Sequence, residues 1–314
     1  SIDMALNNRE DEGISIVRPK WPAKFANQSV DCLGRKLKRI FDQNASSDYF
    51  TSDEIRDYSY YERLLIQELE GLDQKISKGR LKPSYIAEYP RVIHADEGKI
   101  RACIYIGSFD PFQLTHLTVA LRFLASDLSN SDFVVIVPEG SPDTAKPLKT
   151  DYAFRYSIAK MQIEGIFDSF IKALDLGMQA DTIEIIRRFI AMHSGYTLEL
   201  THLIGSDALP IAASLISEDM RIWRKEAQQS KADYQHSIYV VQRGDIPEMH
   251  SYLKALKEED IQIIIDPFSV EAPSSSDFRT KQAYTIVLPT ASIRERMEII
   301  FRYHLHKSWS SDRQ

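Results

Sequence analysis

The segment from Ala102 to Leu128 constrains the fold of this chain more than any other. An apolar run ends at Ile106 and is followed by Gly107 and a short polar loop. An amphipathic pattern begins at once, with leucines at alternating spacings of four and three residues: Leu117, Leu121, Leu124 and Leu128. This order predicts a buried strand, a tight turn and a helix with His116 in its first turn. The start of a helix carries unpaired N–H groups and partial positive charge, so it suits a phosphate to which a histidine can donate a hydrogen bond.

The same alternation of strands and helices continues along the chain. We predict strands at residues 102–106, 133–137, 199–204, 238–242, 261–265 and 284–288, with helical segments between them. Such alternation implies a parallel sheet covered by helices on both faces, which is a Rossmann-like, doubly wound α/β fold. Open sheets of this kind bind ligands at the carboxyl ends of their strands.

The N-terminal third of the chain has a different pattern. Residues 1–95 are predicted to form a polar arm and a helical extension, and residues 96–314 to form the domain that carries the function. The extension contains a short basic helix at 29–44, and Thr51 with Glu54 forms a capping box that opens a second helix. We expect these helices to pack on the same chain. Dimerisation and binding of a regulator remain alternatives.

The loop that follows the first strand carries a resemblance. The residues Gly107-Ser108-Phe109-Asp110-Pro111-Phe112-Gln113-Leu114-Thr115-His116 resemble the first signature of the nucleotidyltransferase superfamily, G-x-F-D-P-x-[HT]-x-G-H. The likeness is greatest to the nicotinamide and nicotinate mononucleotide adenylyltransferases. Gln113 stands where most members have His or Thr, and Thr115 stands where most bacterial members have Gly. The resemblance implies that His116 contacts the transferring phosphate and that the nucleotide is contacted by Gly107, Ser108, Phe109, Gln113 and Thr115.

A second signature follows near the C-terminus. The residues Leu288-Pro289-Thr290-Ala291-Ser292-Ile293-Arg294 resemble the family's I-S-S-T-x-I-R. Pro289 and Ala291 replace hydroxyl residues. Hydroxyls and an arginine at a helix start form an anion site, because arginine can bind two phosphate oxygens at once. The resemblance implies that Thr290 and Arg294 hold the β and γ phosphates, and that Ser292 also lies at the nucleotide.

Weaker matches lie between the two signatures, in the family's order. They are Lys146, Arg155, Asp181, Thr182, Gly205, Asp207, Trp223 and Arg243. The resemblance implies that Lys146 assists in holding the triphosphate, and that Gly205 and Asp207 bind the nucleotide through its ribose. It implies that the acceptor is bound by Asp181, Thr182, Trp223, Arg243 and Arg155.

The resemblance therefore implies an adenylyltransferase of NAD biosynthesis. Such an enzyme joins nicotinate or nicotinamide mononucleotide to the AMP part of ATP and releases pyrophosphate, with magnesium bound mostly through phosphate oxygens and water. Two alternatives stay open. One is transfer to another acceptor, such as pantetheine phosphate, or a cytidylyl transfer. The other is a non-catalytic nucleotide-binding sensor, favoured by the four departures from the two signatures, whereas His116 and Arg294 favour an enzyme.

Composition narrows the partners and the setting. The formal net charge of −6 argues against a nucleic-acid partner, and no apolar stretch reaches the ~20 residues that a membrane helix needs. Cys32 and Cys103 lie far apart, which favours a reduced, cytoplasmic setting, and the start lacks the basic and apolar regions of a signal peptide. We expect ATP and a phosphorylated small molecule as partners, and the sequence leaves a homo-oligomer open.

Overall fold

The computed structural model describes residues 29–46, 48–81, 98–142, 149–167, 170–268, 275–281 and 288–305. The strands are β1 (Lys99–Gly107), β2 (Phe133–Pro138), β3 (Ile171–Ala173), β4 (Thr197–Gly205), β5 (Asp233–Gln242) and β6 (Gln262–Pro267). The helices are α1 (Ser29–Ala45), α2 (Ser52–Ser77), α3 (Leu114–Ala125), α4 (Tyr152–Ile163), α5 (Thr182–Met192), α6 (Leu209–Gln229), α7 (Met249–Glu258), α8 (Ser275–Lys281) and α9 (Ile293–Leu305). In these ranges, every helix is too short or too polar to span a lipid bilayer.

The described strands form one parallel sheet with the order β3-β2-β1-β4-β5-β6. Helices α3 and α4 pack on one face of the sheet, whereas α5, α6 and α7 pack on the other. The chain therefore winds outward from β1 in one direction and from β4 in the other. This arrangement confirms the predicted doubly wound α/β fold. Loops leave β1 and β4 toward opposite faces, which opens a crevice at the carboxyl ends of these two strands.

Most of the predicted strands are confirmed within one to five residues at each end. The short strand β3 was missed because three residues are too few to show a periodicity. The predicted strand at 284–288 falls outside the described residues except for Leu288, which is not in a strand. The predicted arm and the boundary near residue 95 also lie outside them.

The N-terminal helices pack against the sheet-bearing part of the chain. Helices α1 and α2 contribute buried side chains to the same apolar cluster as α3, α4 and α9. The predicted capping box is present at the start of α2, where Thr51 and Glu54 cap each other's backbone N–H groups. At the other end of α2, the Lys75 ammonium donates to the carbonyl oxygens of Leu124, Ser126 and Ser129 at 2.6–2.9 Å. Helix α2 is thus fixed along α3 as far as the end of that helix.

A charged cluster lies between α2 and the last turn of α3. Arg122 of α3 binds both carboxylate oxygens of Asp266 at 2.9 Å and lies 3.9 Å from Glu68 of α2. Tyr239 donates to the same Asp266 at 2.7 Å. Burial is the main cause that raises the pKa of the Glu68 carboxyl to about 7, and the charge of Asp266 adds to it while Arg122 opposes it.

We predict that Glu68→Gln changes how stability depends on pH. Ionising Glu68 costs more free energy in the folded chain than in the unfolded chain, so the stability of the fold decreases as pH rises. The decrease begins near the unfolded pKa of about 4.5 and is complete above the folded pKa of about 7. The variant should therefore gain stability relative to wild type between pH 5 and pH 8, by on the order of 1 kcal/mol. Urea unfolding at several pH values measures this difference. Glu70→Gln on the same helix is the control for the amide substitution, and a pH-independent difference for Glu68→Gln would contradict the prediction.

Candidate functional site

The candidate site lies at the carboxyl ends of β1, β4 and β5. The loops after β4 and β5 are tied together, because the Arg243 N–H donates to Ser206 Oγ at 2.9 Å and this hydroxyl donates to the Arg243 carbonyl at 3.2 Å. A Cβ at Gly205 would lie 2.6 Å from Asp207 Oδ1, so a side chain there would displace the Asp207 carboxylate. Asp207 and Arg243 are both exposed at this edge. Among the described residues, the Arg243 guanidinium has no hydrogen-bond or carboxylate partner.

His116 lies in the first turn of α3, as predicted. Its Nδ1 accepts the backbone N–H of Gln113 at 3.1 Å. In the neutral ring the hydrogen must then sit on Nε2, which becomes a donor. Nε2 contacts no described polar group and, unlike Nε2 of His193 and of His236, it is not fully buried. The local fold thus fixes one tautomer and leaves its Nε2–H without a partner among the described residues.

Three aromatic rings surround His116. The centroids of Phe109, Phe112 and Tyr105 lie 4.9, 5.6 and 6.2 Å from that of the imidazole. Removal of water by these rings, and then the positive charge of Arg243, lowers the pKa of His116 to about 3. The imidazole is therefore neutral at physiological pH, and it can donate a hydrogen bond without carrying a charge.

The loop between β1 and α3 is anchored by Asp110. Its buried carboxylate accepts hydrogen bonds from the Thr150 hydroxyl, from the Thr150 N–H at 3.1 Å and from the Tyr303 hydroxyl at 2.7 Å. Its backbone carbonyl accepts a hydrogen bond from Arg279 at 2.6 Å. Phe109, next to it, adopts a φ of +45°, which a non-glycine residue rarely adopts, and its ring is buried against His116. The loop is thus held from three sides.

Gln113 and Thr115 are used to cap α3. The Gln113 side-chain oxygen accepts the Thr115 N–H at 3.1 Å, and both residues are buried. The side-chain oxygen of Gln113 and the backbone N–H of Thr115 are thus part of the helix cap. The predicted contacts of Gln113 and Thr115 with a nucleotide stay predictions, and Gly107 and Ser108 are partly exposed beside them.

Arg155 is likewise part of the scaffold. It is 1% exposed, and its guanidinium donates to the carbonyls of Ser108 at 2.7 Å and Thr150 at 2.9 Å. The arginine therefore joins the start of α4 to the loop after β1. The predicted contact of Arg155 with an acceptor stays a prediction, and two of the three guanidinium nitrogens are used by these carbonyls.

The second signature is connected to the first by hydrogen bonds. The Thr290 hydroxyl donates to the Gln162 carbonyl at 2.8 Å, and the Gln162 side chain donates to the Phe112 carbonyl. Thr290 is buried, so its predicted contact with phosphate is not available in this conformation. Ser292 and Arg294 are exposed at the start of α9. Among the described residues, the Arg294 guanidinium has no partner.

Trp223 is buried in the core, and its predicted contact with the acceptor stays a prediction. The residue is 2% exposed, and its indole stacks on His236 with centroids 4.9 Å apart. The indole N–H donates to the Ile183 carbonyl at 3.1 Å. His236 is near the amino end of β5, six residues or roughly 20 Å from Gln242. The indole is therefore part of the apolar core, and its N–H is paired as buried tryptophans usually are.

The remaining predicted acceptor contacts stay predictions. Asp181 is the N-cap of α5, where its carboxylate accepts the Glu184 N–H at 2.9 Å, and Thr182 is the first residue of this helix. Ala180, just before them, accepts the N–H groups of Gly140 and Ser141 in the loop after β2. Lys146 lies outside the described residues.

Tyr105 also lies at the candidate site, although the sequence motifs did not single it out. It is the last side chain of β1 on the face covered by α3, and it is partly buried against Phe109 and His116. The charges of Arg243 and Asp207 both act on its hydroxyl, although burial is the main cause that raises its pKa. The sequence does contain a signal for Tyr105. Side chains alternate between the two faces of a strand, and Tyr105 lies two residues before the glycine that ends β1.

The fold and the site define a doubly wound α/β protein with a candidate site at the topological switch point of its sheet. A scan against protein-family models finds no match, and a search of curated proteins finds none either. Among solved structures, the chain is similar to a Plasmodium falciparum nicotinic acid mononucleotide adenylyltransferase complexed with APC, with 21% identity, 65% of this chain and 96% of that chain covered, and a TM-score of 0.43. The same enzyme complexed with NaAD gives 21% identity, 66% and 97% coverage, and a TM-score of 0.45.

We predict that His116 keeps one neutral tautomer over a wide pH range. Nitrogen-15 NMR should show a protonated Nε2 and an unprotonated Nδ1, because the Gln113 N–H occupies Nδ1. Since its pKa is about 3, the ring should not titrate between pH 8 and pH 5. The imidazole signal that disappears in His116→Asn is the one that belongs to His116. A titration of His116 near pH 6.5 would contradict the electrostatic description of the site.

Proposed function

We propose that the chain is a nucleotidyltransferase that joins nicotinate or nicotinamide mononucleotide to the AMP part of ATP and releases pyrophosphate. The observation that carries the proposal is the His116 Nε2–H, which is held as a neutral donor at the start of α3. A helix N-terminus with such a donor suits a phosphate on which charge develops during transfer. The sequence resemblance in both signatures supports the choice of reaction and of acceptor.

The proposed reaction needs no nucleophile from the protein. An oxygen of the acceptor's phosphate attacks the α-phosphorus of ATP, a new P–O bond forms, and the bond from that phosphorus to the β-phosphate bridging oxygen breaks. The electron pair of that bond leaves with pyrophosphate. Catalysis then consists of positioning and charge stabilisation. His116 would donate to an α-phosphate oxygen and Arg294 would hold the leaving pyrophosphate, whereas Arg243 would attract the acceptor's phosphate and Asp207 would accept from a ribose hydroxyl.

Magnesium enters this scheme as part of the nucleotide substrate. Within the described ranges, no three His, Cys, Asp or Glu side chains come together to hold a metal ion. The ion would be held by phosphate oxygens and water, and it would reduce the negative charge that the acceptor phosphate has to approach.

A second candidate is a non-catalytic sensor that binds a nucleotide. One observation favours it, namely that three predicted ligand contacts, Gln113, Thr115 and Thr290, are buried as parts of the scaffold. The burial of Trp223 also removes one reason to prefer a nicotinoyl acceptor over pantetheine phosphate or a cytidylyl transfer. Two exposed arginines, Arg243 and Arg294, favour an enzyme that holds two anionic substrates.

The proposal is tested by pyrophosphate release. Purified protein with ATP, CTP and magnesium is assayed against nicotinate mononucleotide, nicotinamide mononucleotide, pantetheine phosphate and other phosphorylated acceptors. We expect release with ATP and one of the two pyridine mononucleotides. Release with another acceptor alone would replace the substrate assignment. Nucleotide binding without release from any acceptor would favour the sensor.

We predict that His116→Ala lowers kcat by two or more orders of magnitude. The expected loss is the scale seen when one preorganised donor to a developing charge is removed. His250→Ala, which removes an exposed histidine on α7, is the matched control and should leave kcat unchanged. Near-normal turnover in His116→Ala would remove His116 from the reaction.

We predict that Arg294→Lys raises the KM for ATP by about tenfold, because lysine cannot reproduce the planar, two-pronged contact of a guanidinium with phosphate. The matched control is Arg302→Lys on the same helix, where the arginine pairs with Glu298 at 3.1 Å. An equal effect of the two substitutions would show that Arg294 is not at the triphosphate.

A further inference from the structure

The segment that leads into α9 is held by side chains of the N-terminal helices. Pro289 and Ala291 are buried and lack the hydroxyls that the family signature has at their positions. Their carbonyl oxygens are bound instead. The Tyr58 hydroxyl of α2 donates to the Pro289 carbonyl at 3.0 Å, and the Asn44 amide of α1 donates to the Ala291 carbonyl at 3.3 Å.

These contacts belong to one closed network. Asn44 also donates to the Tyr58 hydroxyl at 2.8 Å, and Arg296 donates to the same hydroxyl at 3.3 Å and to the Ala291 carbonyl at 2.9 Å. The Tyr58 oxygen thus gives one hydrogen bond and accepts two, and the Ala291 oxygen accepts two. Because the whole network is buried, loss of one member leaves its partners without water to replace it.

Aromatic rings fix the geometry of the network. The Tyr58 ring packs edge-on against Phe41 with centroids 4.8 Å apart, and it lies 5.6 Å from Phe50. The Arg296 guanidinium lies over the rings of Phe50 and Tyr58 at 5.3 and 5.5 Å. Burial raises the pKa of Tyr58 to about 12, so the phenol remains a donor at neutral pH.

We propose that α1 and α2 are a positioning element for the segment Leu288–Arg294, with Tyr58 and Asn44 as its positioning residues. They hold the backbone on both sides of Thr290, and thereby set where Ser292 and Arg294 emerge at the start of α9. Ser292 and Arg294 then bind the triphosphate of a nucleotide, and this assignment of the ligand rests on the proposed function. The N-terminal extension is then a part of the site's framework.

The test compares Tyr58→Phe with Tyr60→Phe. The second variant makes the same change on the same helix, at a hydroxyl that makes no hydrogen bond with a described residue. Two readouts are used. The first is hydrogen–deuterium exchange of the amides in 288–296, which needs no ligand. The second is the KM for ATP against the KM for the acceptor.

We expect Tyr58→Phe to speed exchange in 288–296 and to raise the KM for ATP roughly fivefold, the change expected for one hydrogen bond, with the acceptor KM unchanged. Asn44→Ala should do the same and serves if Tyr58→Phe does not fold. The proposal is overturned if the amides in 288–296 exchange at the same rate in Tyr58→Phe as in Tyr60→Phe. It is also overturned if exchange rises over the whole chain and the two KM values change by the same factor. If wild type uses no nucleotide, the proposed function fails, while local exchange in 288–296 still decides the positioning role.

Discussion

The buried carboxylate of Asp110 is the interaction on which the candidate site depends. A buried carboxylate is costly unless donors surround it, and here the donors come from segments that the sequence places far apart. Thr150 lies just before α4, and Tyr303 lies near the end of α9. Satisfying one charged group therefore draws the loop after β1, the start of α4 and the end of α9 to one point. The direction of α3, and with it the place of His116, follows from that convergence.

The electrostatics of the site divide between a neutral donor and charged side chains around it. His116 stays uncharged because aromatic rings remove water and Arg243 repels a second positive charge. A neutral imidazole can approach a phosphate oxygen without forming an ion pair that would have to be broken on release. The exposed arginines then supply long-range attraction for anions, in a chain whose net charge is negative overall.

The N-terminal helices belong to the same apolar core as the sheet. Helix α2 reaches from the segment before α9, through the Glu68–Arg122–Asp266 cluster, to the end of α3 at Lys75. A helix with buried polar contacts at both ends is an integral part of the packing. A change at α1 or α2 would therefore be transmitted to the end of α3 and to the start of α9, which carries predicted phosphate contacts.

The sequence by itself determined the features that depend on short-range order. Alternating apolar runs gave five of the strands, the spacing of leucines gave α3 with His116 in its first turn, and the Thr51–Glu54 pair gave the start of α2. Each is a pattern that local geometry imposes on neighbouring residues. Tertiary structure alone decided which of the candidate residues face the crevice. It buried Trp223 against His236, used Gln113 and Arg155 as scaffold, and brought Tyr105 next to His116. It also joined Asp110 to Tyr303 and Tyr58 to Pro289, across 193 and 231 residues. No local pattern encodes such contacts, because they arise only when separate elements compete for the same buried volume and the same hydrogen-bonding groups.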